Sequence, residues 1–295
     1  MGLAAMLRTA CLENPHIVGQ TIGFDSWKSA APDRIMENSC CPEVPHIRYE
    51  DGKRLTLTWN SMHGADGAPG ELWKHDGVYL ITGGMGGLGL LFAQEIVRHA
   101  DNRTLVLIGR SMLDAHKEGQ LQQLREHGAR VEYEIVNAAH KESIQRLINS
   151  MIARYGKLNG IIHSAGLIRD SYILKKTAAE LKEVLAVKVR GLMNLDEACE
   201  SLPLDFLITC SSIAGSLGNP GQADYAAANA FMDYYASYRN ELVAWKRRSG
   251  RTLSVNWPLW EEGGMHVSTD IKRMMLEHMG MSPMKTKSGM ETLYR

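Results

Sequence analysis

The chain has 295 residues, with 33 basic and 33 acidic side chains, 28 glycines and 44% hydrophobic residues. The zero net charge excludes a broad nucleic-acid-binding surface, which needs clustered excess lysine and arginine. A charged fraction of 22% with this many aliphatic residues excludes a disordered chain. The length suits one α/β domain with a small additional segment.

The N-terminus and the cysteines give no sign of secretion. Residues 1–10 lack the basic region and the apolar stretch of a signal peptide, and no apolar run approaches the roughly 18 residues of a membrane span. Five cysteines occur without a C-x-x-C pair or zinc spacing: Cys11, Cys40, Cys41, Cys199 and Cys210. We therefore expect free thiols, no metal, no membrane contact and a cytoplasmic location.

Residues 1–75 predict a small β-containing segment. The alternation over residues 54–59 predicts a strand with its Leu and Trp side chains on one face. The Asp-Gly pair at 51–52 predicts a hairpin turn that joins this strand to His46–Glu50. Residues 61–70 contain three glycines and a proline and predict a linker.

From Gly77 onward, strands and helices alternate. The predicted strands are Val78–Thr82, Thr104–Ile108, Val131–Val136, Gly160–His163, Phe206–Cys210 and Leu253–Asn256. The predicted helices are Leu88–Ala100, Gln120–His127, Lys141–Tyr155, Ala178–Ser201 and Asp224–Arg248. This alternation predicts right-handed crossovers and a Rossmann-like, doubly wound parallel α/β sheet.

A glycine-rich loop joins the first of these strands to its helix. It satisfies both G-x-G-x-x-G, over residues 84–89, and T-G-x-x-x-G-x-G, over residues 82–89. Glycines let the backbone approach a pyrophosphate, and the helix N-terminus offers its N–H groups to that charge. The candidate cofactor-binding residues here are Thr82, Gly83, Gly84, Met85, Gly86, Gly87, Leu88 and Gly89.

The end of the second strand indicates which dinucleotide binds. An acidic residue there would bind the ribose 2′-hydroxyl of NAD. The sequence instead has Arg110 and Ser111, a permanently charged guanidinium and a second donor suited to a 2′-phosphate. This favours NADPH, with a solvated surface arginine as the alternative interpretation of Arg110.

Four further residues form a candidate catalytic group. Tyr225 and Asn229 lie four residues apart, on one face of a predicted helix. Ser212 follows a strand, at the sheet edge where α/β proteins bind ligands. Lys188 lies on an earlier helix, and its charge would stabilise a phenolate, since tyrosine with a pKa near ~10 is a slow acid at neutral pH. Each residue alone is weak evidence, so the prediction depends on their joint spacing.

Residues 78–260 resemble a short-chain dehydrogenase/reductase, and specifically the ketoreductase domain of a modular polyketide synthase. The motifs that carry this resemblance are TGGMGGLG at 82–89, GRS at 109–111, HSAG at 163–166, VKVRG at 187–191, SSIAGSLGNPGQADYAAANAF at 211–231 and NWPLW at 256–260. Ordinary reductases of this superfamily have Y-x-x-x-K. Polyketide ketoreductases have Asn in that lysine's place and the lysine on an earlier helix, as Asn229 and Lys188 are here.

The resemblance implies reduction of the β-carbonyl of an acyl chain that phosphopantetheine tethers to an acyl carrier protein, with NADPH as the hydride source. Tyr225 would donate the proton and Ser212 would hydrogen-bond the carbonyl oxygen. Lys188 would tune Tyr225 and hold the nicotinamide ribose, and Asn229 would support the proton path. The expected partners are this carrier protein and the other modules of the synthase.

The resemblance also implies further cofactor contacts from Ala165, Gly166 and Pro258. Asn137 stands where an aspartate usually accepts from adenine N6, and its amide oxygen still offers an acceptor. Asp224 stands where asparagine is common, and we expect its charge to raise the pKa of the neighbouring tyrosine.

Two positions bear on product stereochemistry. Asp170 matches the last residue of an L-D-D motif found in one class of the family, although Arg169 departs at the middle position. The opposite class has a tryptophan eight residues before the tyrosine, where this sequence has Leu217. The resemblance therefore implies a D-configured β-hydroxyl.

The resemblance extends weakly over residues 11–60, which look like the tail of the structural subdomain that precedes such domains. We therefore expect residues 1–75 to be that tail plus a linker, residues 76–295 to be catalytic, and the chain to be a segment of a larger enzyme. The amino-acid sequence is most similar to those of synthases that recruit a free-standing acyltransferase. The methionine-rich stretch at about 261–285 suits a lid over the acyl chain, or alternatively a helix packed on the core.

Two other functions remain open. A free-standing 3-oxoacyl-carrier-protein reductase is one, but it usually has Y-x-x-x-K. A reduction-incompetent domain retained as a scaffold is the other, and the intact Ser212, Tyr225, Lys188 and glycine loop argue against it.

Overall fold

The computed structural model describes residues 2–26, 32–61, 72–99, 102–265 and 267–294, and the predicted linker at 61–70 lies almost wholly outside these ranges. The described residues form a three-stranded sheet and a six-stranded sheet, with helices packed around the larger one. Among them, no helix combines the length and the apolar character needed to cross a membrane.

The first 61 residues contain two helices and a small sheet. These elements are α1 (Gly2–Glu13), β1 (Thr21–Phe24), α2 (Pro32–Ser39), β2 (His46–Glu50) and β3 (Lys53–Thr56). Strand β1 pairs with β2 in parallel, and β2 pairs with β3 antiparallel. The sequence patterns predicted only the β2–β3 hairpin, which is confirmed.

The hairpin turns at Asp51 and Gly52, whose φ angles of 49° and 76° lie in the left-handed region that such two-residue turns require. The prediction that its second strand continues to Trp59 is wrong. The ladder ends where Thr56 pairs with Ile47, and beyond it Leu57 and Trp59 are 57% and 70% exposed. The alternating pattern of side chains therefore extends beyond the last residue that pairs as part of a strand.

The central sheet confirms the Rossmann-like prediction. Its strands are β4 (Val78–Thr82), β5 (Thr104–Gly109), β6 (Arg130–Ile135), β7 (Gly160–His163), β8 (Phe206–Ser212) and β9 (Arg251–Trp257). All pairings are parallel, in the order β6-β5-β4-β7-β8-β9. Strand β4 is buried along its whole length because both of its faces are covered.

Helices cover both faces of this sheet. They are α3 (Gly87–His99), α4 (Ala115–Glu126), α5 (Lys141–Tyr155), α6 (Ala178–Leu185), α7 (Gly191–Ala198), α8 (Ile213–Leu217), α9 (Ala223–Ala244), α10 (Thr269–Met279) and α11 (Thr286–Leu293). One hydrophobic core contains Phe92, Leu124 and Met290, from α3, α4 and α11. A second core contains Ile144, Leu192 and Met232, from α5, α7 and α9.

The prediction of one continuous helix over Ala178–Ser201 is wrong, because the helix is interrupted. A π-helical turn at Ala186–Arg190 separates α6 from α7. One extra residue in such a turn breaks the regular hydrogen-bond ladder, and π turns are frequent at functional sites. Lys188 lies at the centre of this turn, so the irregularity coincides with a candidate catalytic residue.

Candidate active site

A cleft opens along the carboxyl ends of the central strands, where an open parallel sheet ordinarily binds ligands. Its cavity volume is about 280 Å³. Most of the residues nominated from the sequence line it: Thr82, Gly83, Gly86, Gly87, Leu88, Arg110, Asn137, Ala165, Gly166, Lys188, Ser212, Tyr225 and Pro258. The glycine loop, the end of β5 and the start of α9 therefore meet at one site.

The remaining nominated residues lie outside the cleft lining: Gly84, Met85, Gly89, Ser111, Asn229, Asp170 and Leu217. Met85 is only 9% exposed and belongs to the core beneath the loop, whereas Leu217 is 44% exposed at the end of α8. Ser111 accepts a hydrogen bond at its backbone carbonyl from the Tyr133 hydroxyl, at 2.6 Å. These residues could therefore contact only those parts of a ligand that extend beyond the cavity.

The glycine loop fits a dinucleotide pyrophosphate. Gly83 has a φ of +64°, and a Cβ there would lie 2.9 Å from the Ala165 Cα, so the turn requires glycine. A Cβ at Gly89 would lie 2.3 Å from the Gly83 carbonyl oxygen, so the first turn of α3 packs directly on the loop. Glycine at these positions brings the loop backbone and the N-terminus of α3 to the cleft, as phosphate binding requires.

Arg110 follows β5 and is exposed at the cleft. None of the ion pairs between described residues uses it, so its guanidinium is available for an anionic ligand. Asn137 already accepts a hydrogen bond at Oδ1 from the Ala139 N–H, at 3.1 Å. A carbonyl oxygen has two lone pairs, so the acceptor capacity expected of Asn137 is reduced but not exhausted.

Tyr225 and Lys188 are both buried, at 6% and 3% exposure. Burial raises the pKa of Tyr225 above its ordinary value, while hydrogen bonding from Asn229 and Ser212 acts in the opposite direction. Lys188 Nζ lies 5.3 Å from the centroid of the Tyr225 ring and donates to the Cys210 carbonyl at 2.9 Å. Burial lowers the pKa of Lys188 to about 8. The ammonium thus faces the ring of the tyrosine, as a cation–π contact.

Asn229 is fully buried one helical turn after Tyr225, and its Nδ2 donates to the Tyr225 carbonyl at 2.8 Å. Its Oδ1 has no partner among the described residues. Ser212 is the N-cap of α8, where Oγ accepts from the Ala214 N–H at 3.2 Å. The hydroxyl proton of Ser212 is not used in this contact and is available for donation.

A hydrogen-bonded chain that the sequence analysis did not identify supports Lys188. His163, at the end of β7, contacts Thr82 Oγ1 through Nδ1 at 2.8 Å and the Lys188 carbonyl through Nε2 at 3.2 Å. Burial lowers the pKa of His163 to about 3, so the ring is neutral. Because the carbonyl only accepts, Nε2 carries the proton, and Thr82 donates to Nδ1 while accepting from the Ala165 N–H at 3.2 Å. The sequence signal was a histidine that ends a buried strand and begins the HSAG motif.

The charge of Asp224 is not free to act on Tyr225 as expected. Lys176 Nζ lies 2.9 Å from Asp224 Oδ2, and the side chains are 5% and 0% exposed. Burial is the main cause that raises the pKa of Tyr225, and the charge of Asp170 adds to it. The expectation from Asp224 was wrong because a lysine 48 positions earlier, invisible to local sequence patterns, neutralises it.

The stretch expected to form a lid begins against the glycine loop. A Cβ at Gly87 would lie 2.1 Å from the Gly263 carbonyl carbon, and Met265 lines the cleft. Helix α10 follows with Ile271 and Met274 43% and 53% exposed. Helix α11, which follows this stretch, instead packs Met290, at 5% exposure, into the core. The stretch and the helix after it thus have different environments.

The cysteine thiols take no part in the cleft chemistry that we describe. All five are free thiols. Cys210 is buried beneath Lys188, and burial raises the pKa of its thiol to about 12. Among the described residues, no cluster of three His, Cys, Asp or Glu side chains has metal-site geometry.

A family model and the curated relatives point to the same kind of protein. The KR domain family matches residues 77–262. Polyketide synthase PksN of Bacillus subtilis (strain 168) is 49% identical over 296 residues, covering 100% of this chain and 5% of that protein. Polyketide synthase PksL of the same organism is 44% identical over 295 residues, covering 99% and 6%. The chain therefore spans about one twentieth of the length of these curated relatives.

Solved structures agree with these relatives. A ketoreductase domain from the bacillaene assembly line matches with a TM-score of 0.95 and 44% identity, covering 99% of this chain and 70% of that one. An N-terminal ketoreductase from the macrolactin assembly line matches with a TM-score of 0.81 and 33% identity, covering 99% and 57%.

Proposed function

Because the chain belongs to the ketoreductase (KR) domain family of polyketide synthases, we propose that it reduces the β-keto group of a polyketide intermediate with NADPH. The intermediate would be carried by the phosphopantetheine arm of an acyl carrier protein in the same synthase. Membership in this family implies an oxidoreductase with a nicotinamide cofactor. NADPH, the carrier-bound substrate, the product configuration and a cytoplasmic location are the finer parts of this proposal.

The observation that carries the proposal is the convergence of Tyr225, Ser212 and Lys188 with the glycine loop on one cleft. The groups that acid–base chemistry requires thus adjoin the groups that bind pyrophosphate. A carbonyl placed between Ser212 and Tyr225 meets a hydrogen-bond donor and a proton donor together.

When bound, NADPH supplies the hydride. Arg110 binds the 2′-phosphate and the loop N–H groups bind the pyrophosphate. Ser212 donates to the carbonyl oxygen and stabilises the negative charge that develops there. Tyr225 transfers its proton to that oxygen, and the positive charge of Lys188 lowers the cost of the phenolate that remains.

The product configuration that we propose is D. It is supported by Asp170 at the L-D-D position and by Leu217 where the opposite class has tryptophan. Asp170 Oδ1 accepts from Gln222 Nε2 at 2.9 Å, close to the start of α9, so this carboxylate has a defined position near Tyr225. The recruitment of a free-standing acyltransferase stays a prediction from sequence.

A scaffold that has lost reduction is the second candidate. The orphan Asn229 Oδ1 and the cation–π contact of Lys188 favour a working site, because a site released from catalysis has no reason to keep buried, incompletely paired polar groups. A free-standing reductase is disfavoured by Asn229 in the place of the lysine of Y-x-x-x-K.

The decisive experiment incubates the purified chain with a β-ketoacyl thioester and NADPH or NADH. We expect NADPH consumption with formation of the β-hydroxy thioester, and a D-configured product by chiral chromatography. Tight NADPH binding without turnover would favour the scaffold. Equal use of NADH would overturn the cofactor assignment, and an L-configured product would overturn the stereochemical one.

A further inference from the structure

The segment from Arg169 to Lys176 follows directly after Leu167 and Ile168, two residues that line the cleft. We call residues 169–176 the rim segment. It is tied to the chain just before Tyr225 by the Ser171 N–H, which donates to the Gly221 carbonyl at 2.8 Å. The position of the rim relative to Tyr225 therefore bears on how a substrate enters.

Lys176 makes the most buried of these ties. Its Nζ donates to the Arg169 carbonyl at 2.5 Å and to Asp224 Oδ2 at 2.9 Å. One ammonium thus joins the two ends of the rim segment to each other and to the residue that precedes Tyr225. Asp224 Oδ1 in turn accepts from the Tyr225 N–H at 2.8 Å.

Stability alone does not account for this arrangement. Removing two charges from water carries a large desolvation cost, and apolar replacements of buried ion pairs are often as stable. Such a pair is therefore weak evidence for a stabilising role. Buried ionic groups are retained in some proteins because they select one geometry among several. Here the selected geometry joins the rim segment, which carries Asp170, to the start of the helix that carries Tyr225.

We propose that Lys176 is a specificity-determining positioning residue: by bridging the Arg169 carbonyl and Asp224, it fixes the rim segment relative to Tyr225 and thereby selects the face of the ketone that is reduced. The inference rests on the proposed ketoreductase function and adds a residue outside the reacting groups. Lys176 does not line the cleft, so it acts through the rim and not by touching the substrate.

The test compares Lys176→Met with the unaltered chain in reduction of a β-ketoacyl thioester by NADPH. The readout is the ratio of the two hydroxyl configurations, which a smaller folded fraction does not change. We expect the ratio of major to minor product to fall about tenfold in Lys176→Met, the lower end of what one contact contributes to discrimination. Lys175→Met, a change at the exposed neighbouring lysine, is the matched control and should keep the original ratio.

A double variant separates positioning from charge balance. Lys176→Met combined with Asp224→Asn removes the unpaired buried carboxylate, so its melting temperature should recover toward that of the unaltered chain. Its product ratio should stay low, because the tie to Arg169 is still missing. If Lys176→Met does not fold, the double variant alone decides.

An unchanged product ratio in Lys176→Met, or a ratio restored in the double variant, would overturn the role of Lys176 and leave the proposed function intact. Absence of reduction by the unaltered chain would instead overturn the proposed function and this inference with it.

Discussion

The pKa values of the two side chains in the proposed acid–base pair, Tyr225 and Lys188, are shifted by the same cause. Burial raises the pKa of Tyr225 and lowers that of Lys188 to about 8, since removal from water disfavours the charged form of each. The Cys210 carbonyl holds the ammonium over the tyrosine ring, where its charge partly offsets the cost of a phenolate. A buried, neutral phenol beside a held cation is suited to donate its proton to a developing alkoxide.

Tyr225→Phe should abolish reduction while leaving NADPH binding within about twofold of the unaltered chain. The change removes only the proton donor, and general acid catalysis contributes about 10²–10⁴-fold to a rate. Steady-state turnover of a β-ketoacyl thioester and NADPH titration by fluorescence measure the two quantities. Tyr238→Phe, a change at a half-exposed tyrosine on the same helix, is the control. A Tyr225→Phe variant with a near-normal rate would show that another group donates the proton.

Arg110→Ala should weaken NADPH binding by at least about tenfold and NADH binding little. A charge-assisted hydrogen bond to a phosphate contributes roughly 1.5–3 kcal/mol, and NADH lacks the 2′-phosphate. Isothermal titration with both cofactors measures the difference. Arg98→Ala, a change at an exposed arginine on α3, should leave both affinities unchanged. A parallel loss for both cofactors would contradict the assigned contact.

The elements around Lys188 are held together by one neutral imidazole. His163 links the end of β4, through Thr82, to the π-helical turn that carries Lys188, and the ring is fully buried. The turn interrupts the helical ladder, so a donor from another element helps to satisfy its carbonyl groups. The position of Lys188 thus depends on the sheet beneath it as well as on its own helix.

The neutral state of His163 predicts the direction of a pH effect on stability. Its pKa is about 3 in the folded chain against 6.5 ordinarily, so the unfolded chain binds more protons between these values. The free energy of unfolding should therefore fall as the pH is lowered from 6.5 toward 3, by about 1.4 kcal/mol per pH unit from this group.

His163→Gln is the matched variant, because its amide can still donate to the Lys188 carbonyl but does not titrate in this range. Urea unfolding from pH 6.5 to pH 4 should give a shallower decline for His163→Gln than for the unaltered chain. Parallel declines in the two proteins would show that His163 is not held neutral.

The central parallel sheet was predictable from the sequence because its signals are local. Each parallel strand is a short apolar run bounded by turn residues, and five of the six predicted strands begin within one residue of the observed strand. The π turn was missed because Val187 and Lys188 continue the apolar and charged pattern of an ordinary helix. Helix α1 was missed because its buried residues, the small Ala5 and the polar Thr9, do not form an apolar stripe.

The candidate site was predictable to a similar extent. Tyr225, Ser212 and the glycine loop belong to contiguous motifs, and those motifs meet at the cleft. Lys176 and His163 act through partners 48 and 81 positions away, and no local spacing reveals such pairs. The ion pair that neutralises Asp224 could therefore be found only from the structure.

Helix α1 is joined to the part of the chain that contains the central sheet. Glu13 accepts from the Ile173 N–H at 2.7 Å and from the Gly221 N–H at 2.9 Å. Thr9 Oγ1, fully buried, accepts from the Asn219 N–H at 3.2 Å. Helix α1 therefore holds the loop before α9 and the rim segment from outside, which connects residues 1–61 to the mouth of the cleft.

The contact between α1 and α9 consists of small side chains. Ala5, Ala226 and Ala230 form a cluster with exposures of 2%, 0% and 4%. A Cβ at Gly2 would lie 2.9 Å from the Ala227 carbonyl oxygen, so the two helices approach closely. Since α9 also packs into the core beneath the central sheet, we expect this contact and the catalytic part to unfold together.

Ala5→Leu tests this coupling. Three additional carbon atoms have no space between the helices, and overpacking of this kind costs about 1–3 kcal/mol. Urea unfolding followed by far-UV circular dichroism should show one transition whose midpoint moves to lower urea concentration. Leu3→Ala is the matched control on the same helix, because Leu3 is 76% exposed and its loss should change stability by no more than about 0.5 kcal/mol. If the main transition of Ala5→Leu stays in place while a small early transition appears, α1 unfolds independently, and the N-terminal residues and the catalytic part are separate cooperative units.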